Sequence, residues 1–194
     1  RTWLVVGLLA TVASAACPNG IPDTEVKAIL KSHNTLRSNL SKGKFVAKGQ
    51  KMKASRKKIP LLQWDCALEK SAQTVANTCT NSHSAGALVG VYGENLYSTS
   101  GSDIIKMAGL GKTACSAWKS EFQEFGWPSI RFTIPMTYKE QQLSHATQMV
   151  WHNTTKIGCG IGFCNGKKFA TVACHYTEAG NYVGVPIYYP KGTF

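Results

Sequence analysis

Two segments near the C-terminal end constrain the fold of this chain more than any other part. Residues 157–164 alternate larger side chains with glycine, and residues 169–176 are rich in β-branched and aromatic side chains. Asn165-Gly166 follows the first segment, and such a pair tolerates the positive φ angles of a type I′ turn. The sequence therefore predicts two antiparallel strands joined as a hairpin.

The first residues have the pattern of a secretory signal peptide. Residues 3–16 form an apolar run with Arg1 ahead of it and small residues at its end. Such a run is too short for a membrane span. We expect residues 1–16 to be a signal peptide and residues 17–194 to form a single domain with a sizeable core. A secreted, extracellular protein without stable membrane insertion follows from this pattern.

The chain contains seven cysteines, a number that predicts disulfides in a secreted protein. No Cys-x-x-Cys pair occurs, which disfavours a structural zinc ribbon or a thioredoxin-type site. Spacing alone does not decide which cysteines pair.

Four short motifs give the chain a family resemblance. His-Ala-Thr-Gln-Met-Val-Trp at 145–151 and Cys-His-Tyr-Thr-Glu-Ala-Gly-Asn at 174–181 resemble the two signatures of the CAP superfamily of cysteine-rich secretory proteins, antigen 5 and pathogenesis-related proteins. Shorter matches at 33–37 and 93–96 stand upstream in the family's order. Ordered matches are more specific than any one motif alone. The segment 17–20 is most similar to the helminth venom-allergen-like, or activation-associated secreted, branch.

The resemblance implies an α+β fold, in which an α-β-α sandwich holds a short antiparallel sheet between helical layers and disulfides fasten the layers. The residue pattern agrees with this architecture. A helical stripe begins near Asp23, Asp65 is placed to cap a second helix, and a third helix is expected from about Ser102 with a fourth after it. Short strands near 61–62 and 91–92 are expected to join the hairpin.

The resemblance also implies two disulfides, and we add a third. The expected pairs are, in that order, Cys79 with Cys164, Cys159 with Cys174, and Cys17 with Cys66. Cys115 is then the odd thiol, either buried on a helix or available for an intermolecular bond.

In CAP proteins two histidines and two glutamates converge in a central cleft. The matching positions of this sequence are His83, Glu94, Glu121 and His145. Imidazoles and carboxylates suit Zn²⁺, and the carboxylates can instead hold Mg²⁺ through water. The alternative is a buried polar network that fixes the helices to the sheet without any metal. In neither case is a cofactor required for folding.

Catalysis is a further alternative. Ser144 and His145 are adjacent, and adjacent residues rarely point at each other, so a serine–histidine dyad is geometrically poor. Neither Gly-x-Ser-x-Gly nor His-Glu-x-x-His occurs in the sequence. No catalytic residue is therefore assigned.

An aromatic, proline-broken segment at 125–138 precedes the first signature. Its apolar side chains cannot all be buried by regular packing, so some are expected to line a cavity or an exposed patch. CAP relatives bind sterols through an aromatic loop at this place, and some hold a fatty acid between two helices. Helical segments near Leu68 and Ile104 are the candidate walls for a fatty acid, and the alternative for the aromatic residues is that they close the core. The assigned lipid-binding residues are Phe125, Trp127, Phe132 and Tyr138.

The net charge of +12 is unevenly distributed, because eight basic residues and no acidic residue lie between Lys42 and Lys58. Such a segment attracts anionic glycans, membrane surfaces or nucleic acid, but a solvated loop is the favoured interpretation, and secretion argues against nucleic acid. Asn39 and Asn153 head two N-glycosylation sequons.

These observations lead to one hypothesis and two alternatives. We expect a secreted CAP-domain protein that binds a sterol, a fatty acid or another lipid and acts as a host-directed immunomodulatory effector. The alternatives are a ligand of a host cell-surface protein with no lipid role and a metal-dependent hydrolase. A monomer or weak dimer is expected.

Overall fold

The computed structural model of the chain describes residues 16–18 and 20–193. The predicted signal peptide therefore lies outside the described residues, except for Ala16. Among the helices of the described part, none combines the length and the apolar character needed to cross a membrane.

The described part of the fold contains five α-helices, six β-strands and three short 3₁₀ helices, the latter at Ile134–Thr137, Lys139–Gln141 and Asn165–Lys167. The helices are α1 (Asp23–Ser41), α2 (Cys66–Asn77), α3 (Ala85–Leu88), α4 (Leu110–Glu124) and α5 (Ser144–Val150). The strands are β1 (Val46–Ala47), β2 (Gln50–Lys51), β3 (Gln63–Trp64), β4 (Gly93–Ser100), β5 (Lys156–Cys164) and β6 (Phe169–Thr177).

The main sheet has four strands in the order β3-β5-β6-β4. β6 pairs antiparallel with both β5 and β4, while β3 pairs parallel with β5. β1 and β2 form a separate antiparallel pair. β4 is therefore an edge strand of the main sheet, and this position matters for the site.

The predicted hairpin is confirmed by β5 and β6, but its turn is longer than a two-residue link. The last strand pair joins Cys164 to Phe169, which leaves residues 165–168 in the loop. Asn165, Gly166 and Lys167 all have positive φ, at 47°, 61° and 65°. Asn and Gly tolerate this conformation. Lysine rarely adopts it, so the sequence does not predict the positive φ of Lys167.

The predicted α-β-α sandwich is confirmed, and its two faces are built differently. On one face α2 lies so close to the sheet that a Cβ at Gly160 would stand 2.2 Å from the Cα of Gln73. Glycine is required at such an approach of two backbones. The buried apolar residues of this layer are Ala72, Ala76, Leu96 and Ala173. The main core lies on the other face, beneath α1, α4 and α5.

Asp65 caps α2 as predicted, because its Oδ1 accepts the N–H groups of Ala67 and Leu68 at 2.9 and 3.1 Å. The helix predicted from Ser102 is absent, since residues 101–109 are irregular. α4 begins only at Leu110, where the buried Glu25 of α1 accepts the N–H groups of Gly109 and Gly111 at 2.6 and 2.9 Å. A contact between distant segments therefore decides where this helix starts.

Three disulfides form, and they are the three expected pairs. The structure joins Cys17 to Cys66, Cys79 to Cys164 and Cys159 to Cys174. The first two fasten the two ends of α2, and the third crosses the hairpin. Cys115 is free and buried, and burial raises the pKa of its thiol to about 12. This thiol is therefore unavailable for an intermolecular bond.

A buried arginine holds α5 in place. Arg37 of α1 donates four hydrogen bonds to backbone carbonyls, two of them at the C-terminal end of α5. The acceptors are Pro60, Met149, Trp151 and Thr154, at 2.6, 3.1, 3.0 and 2.6 Å. Burial lowers the pKa of this guanidinium to about 9, and the four bonds offset part of the cost of removing the charge from water.

Candidate functional site

A cavity of about 430 Å³ lies beside the edge strand β4. Its walls include His83, Glu94 and His145, three of the four predicted ligands, together with Asn95 and Asn181. Glu121, the fourth, is hydrogen-bonded to His145. The structure therefore brings the four residues to one place, although they are far apart in sequence.

The first histidine–glutamate pair joins the segment before α3 to the start of β4. Nδ1 of His83 lies 2.8 Å from Oε1 of Glu94. The imidazole is 48% exposed, whereas the carboxylate is 0% exposed. A fixed, buried acid thus holds a histidine that is open to the solvent.

Glu94 is the centre of a larger network. Ser84 donates its backbone N–H to Oε1 at 3.0 Å and its hydroxyl to Oε2 at 2.7 Å, and Nε2 of His175 lies 2.8 Å from Oε2. Burial raises the pKa of the Glu94 carboxyl, but the bonds from His175, His83 and Ser84 outweigh this effect and hold the pKa well below its usual range. The carboxylate is ionised and only accepts, so the imidazole nitrogens that face it carry hydrogens.

Ser71, His175 and Glu94 form a hydrogen-bonded chain with the residue types of a hydrolase triad. Nδ1 of His175 lies 3.0 Å from the hydroxyl of Ser71. The imidazole of His175 is completely buried, and the ring of Tyr92 stacks on it with centroids 4.0 Å apart. A substrate has no access to this histidine, so the chain is structural.

The second histidine–glutamate pair joins α4 to α5. Nδ1 of His145 lies 2.6 Å from Oε1 of Glu121, and Oε2 of the same carboxylate accepts the backbone N–H of Ala146 at 2.9 Å. The indole of Trp118 lies nearly parallel to the imidazole. Glu121 therefore orients His145 and also satisfies a free N–H in the first turn of α5.

The two pairs reach the cavity from opposite faces of the sheet. His175 of β6 pairs with Glu94 of β4 on one side and with Gly158 of β5 on the other, so the three residues share one face of the sheet. A Cβ at Gly158 would collide with the backbone of α2, which identifies this face as the one that α2 covers. Successive strand residues point to opposite faces. Asn95 accordingly points to the other face, where it donates to the backbone oxygen of His145 at 3.1 Å. The cavity wraps around the edge of the sheet at β4.

The four predicted ligands divide into two groups. Glu94 is hydrogen-bonded to Nδ1 of His83, and Glu121 to Nδ1 of His145. The Nε2 atom of each histidine is therefore not bonded to these carboxylates. Among the described residues, three donor atoms within 4.8 Å of one another occur at Cys17, Cys66 and Glu69, but the two sulfurs are already joined in a disulfide. The four cavity residues therefore do not form a preassembled four-ligand site.

The four predicted lipid-binding residues occupy different settings. Trp127 is buried in the core, where its ring stacks on Phe122 with centroids 4.4 Å apart. Phe132 is also buried and forms part of the cavity wall. Phe125 is partly buried and Tyr138 is 55% exposed. These residues do not present one aromatic surface.

A second cavity, of about 500 Å³, opens between α1 and α4. Its buried apolar lining consists of Leu36, Phe45, Cys115 and Met149. Its exposed lining includes Lys31, Lys112 and Lys119. The sequence did not reveal this groove, because the predicted walls near Leu68 and Ile104 lie elsewhere and nothing local in the sequence indicates that α1 and α4 are neighbours.

The two sequons stand in different surroundings. Asn39 lies within α1 and lines the groove between α1 and α4, while Asn153 is exposed in a turn before β5. Of the two, Asn153 is the more accessible acceptor.

Comparison with known proteins identifies a family over most of the chain. Residues 30–176 match the family described as CAP, the cysteine-rich secretory protein family. Venom allergen 3 of Solenopsis invicta is 34% identical over 87% of this chain and 74% of that protein. Ancylostoma secreted protein of Ancylostoma caninum is 35% identical over 89% of this chain, but this chain spans only 41% of its length.

Solved structures show the same fold. BmVAL-1 superposes with a TM-score of 0.81 and 35% identity, covering 90% of this chain and 86% of that chain. NaASP2, in a crystal structure with Zn²⁺, superposes with a TM-score of 0.80 and 30% identity, covering 90% of both chains. The fold and the sequence thus point to the same family.

Proposed function

The chain belongs to the CAP family of cysteine-rich secretory proteins, and we propose that it acts outside the cell as a binding protein whose central cavity takes a Zn²⁺ ion through His83 and His145. One observation carries this proposal. Two imidazoles line one cavity, and a carboxylate is bonded to Nδ1 of each.

The donor set fits zinc. A carboxylate on one ring nitrogen fixes the tautomer of a histidine and leaves the other nitrogen as a basic metal ligand. Neutral imidazole is a usual zinc ligand, and a zinc site that is not purely structural keeps positions for water or for a ligand molecule. In this role Glu94 and Glu121 orient the ligands instead of binding the ion, which modifies the predicted set of four direct ligands. The crystal structure of NaASP2 with Zn²⁺ supports the choice of metal.

Titration calorimetry with ZnCl₂ tests the proposal. We expect the unmodified protein to bind one ion and each of the variants His83→Ala and His145→Ala to lose about tenfold or more in affinity, as for loss of a ligand or its support. His152→Ala is the matched control, because His152 lines a different cavity. Affinity should also fall in acid, since imidazole must be neutral to bind a metal. Equal zinc uptake by the His83→Ala, His145→Ala double variant would refute the assignment.

A second candidate function is lipid binding in the groove between α1 and α4. The groove combines a buried apolar lining with three exposed lysines, which suits an acyl chain that ends in a carboxylate. Its volume of about 500 Å³ lies within the usual range for small-molecule sites. This location replaces the predicted one on the aromatic segment, where Trp127 is committed to the core.

A fluorescent fatty acid and a fluorescent sterol, titrated separately, distinguish the two lipid classes. Ser116→Trp fills the groove, whereas Ser120→Trp adds the same side chain to an exposed position of the same helix outside the groove lining. We expect fatty-acid binding to be lost in Ser116→Trp and kept in Ser120→Trp. Sterol binding that survives Ser116→Trp would place a sterol site elsewhere. The host-directed immunomodulatory role stays a prediction from the resemblance, as does a host receptor.

A further inference from the structure

Residues 42–58, here called the basic segment, are fixed to the body of the protein. Buried side chains recur along the segment, namely Phe45, Ala47, Met52 and Ser55. The backbone is held from two sides, because Ser55 donates its N–H to the Ser41 oxygen at 3.1 Å and Arg56 donates its N–H to the Tyr189 oxygen at 2.7 Å. This stretch is therefore a packed part of the fold, although its charged side chains are solvated, as the favoured interpretation expects.

The eight cations of the segment all point to the solvent. They are Lys42, Lys44, Lys48, Lys51, Lys53, Arg56, Lys57 and Lys58. Lys48 donates to the backbone oxygen of Glu124 at 2.8 Å, and Arg56 lies over the ring of Tyr189. In the part of the chain that the structure describes, none of the eight forms an ion pair with a carboxylate, whereas Lys27 and Lys156 each do. The positive charge of this surface is therefore not compensated by ion pairs within the described residues, and its backbone is held by hydrogen bonds to the body of the protein.

Part of this surface is concave. A furrow of about 500 Å³ is lined by Arg56, Lys57 and Lys58 on one side and by His152 and Asn153 on the other. Arginine recognises sulfate-like oxyanions through its planar fork of donors, and lysine adds point charges. A rigid backbone lowers the entropy lost when these cations bind an anionic chain.

From this geometry we propose that the basic segment binds sulfated glycans outside the cell. A linear polyanion can contact the furrow and the exposed lysines along the rest of the segment at once, and counterion release then favours binding. An anionic membrane fits less well. Peripheral membrane surfaces add apolar side chains to their cations, and Val46 is the one large apolar side chain exposed within the described segment.

Chromatography on immobilised heparin tests the proposal. The secreted protein is tested both with its N-glycans and after their enzymatic removal, because Asn153 lines the furrow. Lys57→Glu, Lys58→Glu changes two adjacent lysines of the furrow, and Lys167→Glu, Lys168→Glu is the matched control with the same change of net charge. The control pair is exposed on the loop between β5 and β6. This loop follows the Cys164 end of β5, whereas Asn153 of the furrow precedes the Lys156 end, and the strand between the two ends is roughly 25 Å long.

We expect the unmodified protein to be retained on heparin and not on desulfated heparin. The furrow variant should elute at lower salt and bind a heparin oligosaccharide at least about tenfold more weakly. The control should stay close to the unmodified protein. Circular dichroism checks that both variants fold, and Lys51→Gln, Lys53→Gln serves as a second test if the furrow variant unfolds.

Two results would overturn the proposal. Equal loss of heparin retention in the furrow variant and in the hairpin variant would show that net charge alone determines retention. Capture by phosphatidylserine vesicles without retention on heparin would make this surface a membrane-binding one.

Discussion

The two histidine–glutamate pairs of the central cavity have the same chemistry but different support. Glu94 accepts from three residues, and its partner His83 is 48% exposed. Glu121 accepts from two neighbouring residues of α5, and its partner His145 is only 18% exposed. One pair thus combines a deeply anchored acid with an open histidine, and in the other both members are packed.

The two pairs differ in support because they belong to opposite faces of the sheet. The Glu94 pair belongs to the α2 face, where glycine contacts and two disulfides leave little freedom. The Glu121 pair belongs to the face of α1, α4 and α5, where helices meet through side chains and cavities remain. We infer that Glu94 contributes more to stability, and that the Glu121 pair depends on how α4 and α5 pack.

The largest expected effect comes from replacing each acid by its amide. Glu94→Gln removes the charge that three residues share and leaves the buried His175 facing an amide. We expect a loss of about 3 kcal/mol in the free energy of unfolding, against about 1 kcal/mol for Glu121→Gln. Urea denaturation of both variants measures the difference. Equal losses would show that the two supports are equivalent.

The pH dependence of the free energy of unfolding is a second test of the role of Glu94. The pKa of Glu94 in the folded protein lies below its ordinary value of 4.5, so its stabilising contribution is present above that pH and is lost as the pH falls further. Burial lowers the pKa of His33 from 6.5 to about 4, so stability also falls between these two values because unfolding lets this histidine take up a proton.

His33 and Glu94 therefore affect stability in different pH ranges. Each changes the free energy of unfolding by up to about 1.4 kcal/mol per pH unit. Glu94→Gln should keep the loss of stability between pH 6.5 and about 4, and should flatten the further loss below 4.5. Urea denaturation as a function of pH checks this. An unchanged slope below that value would contradict the network assigned to Glu94.

The smallest expected effect is that of Ser71→Ala. This change removes the hydrogen bond to Nδ1 of His175 and should cost about 0.5 kcal/mol. Ser120→Ala, an exposed helical serine that bonds to the backbone oxygen of Ala117, is the matched control. The effect of Ser71→Ala should shrink in a Glu94→Gln background, because the two residues act through the same imidazole. Strict additivity would separate Ser71 from the Glu94 network.

Single elements of the fold were predictable from local chemistry, whereas the layered arrangement came from the family resemblance. The hairpin follows from alternation and from Asn165-Gly166, and the start of α2 follows from Asp65. The start of α4 did not follow, because it depends on Glu25, a residue far away in the chain. The helix predicted from about Ser102 is absent, whereas the fourth predicted helix corresponds to α4.

The candidate site was predictable only through the resemblance. Nothing in the spacing of His83, Glu94, Glu121 and His145 indicates that they meet, since they lie on separate elements on two faces of the sheet. The sequence could not predict that each carboxylate bonds to Nδ1 of a histidine, because this depends on which atoms come within hydrogen-bond distance. The burial of Trp127 likewise depends on α4 and on Tyr188, which packs edge-on against its ring.

The family motifs, the hairpin and the excess of positive charge could be read from the sequence alone, because each depends on residue type or on neighbours along the chain. The tertiary structure decided the two-sided cavity around β4, the groove between α1 and α4 and the fixed backbone of the basic segment. These features depend on contacts between distant segments, and such contacts form only when the buried surfaces of α1, α4, α5 and the sheet pack together.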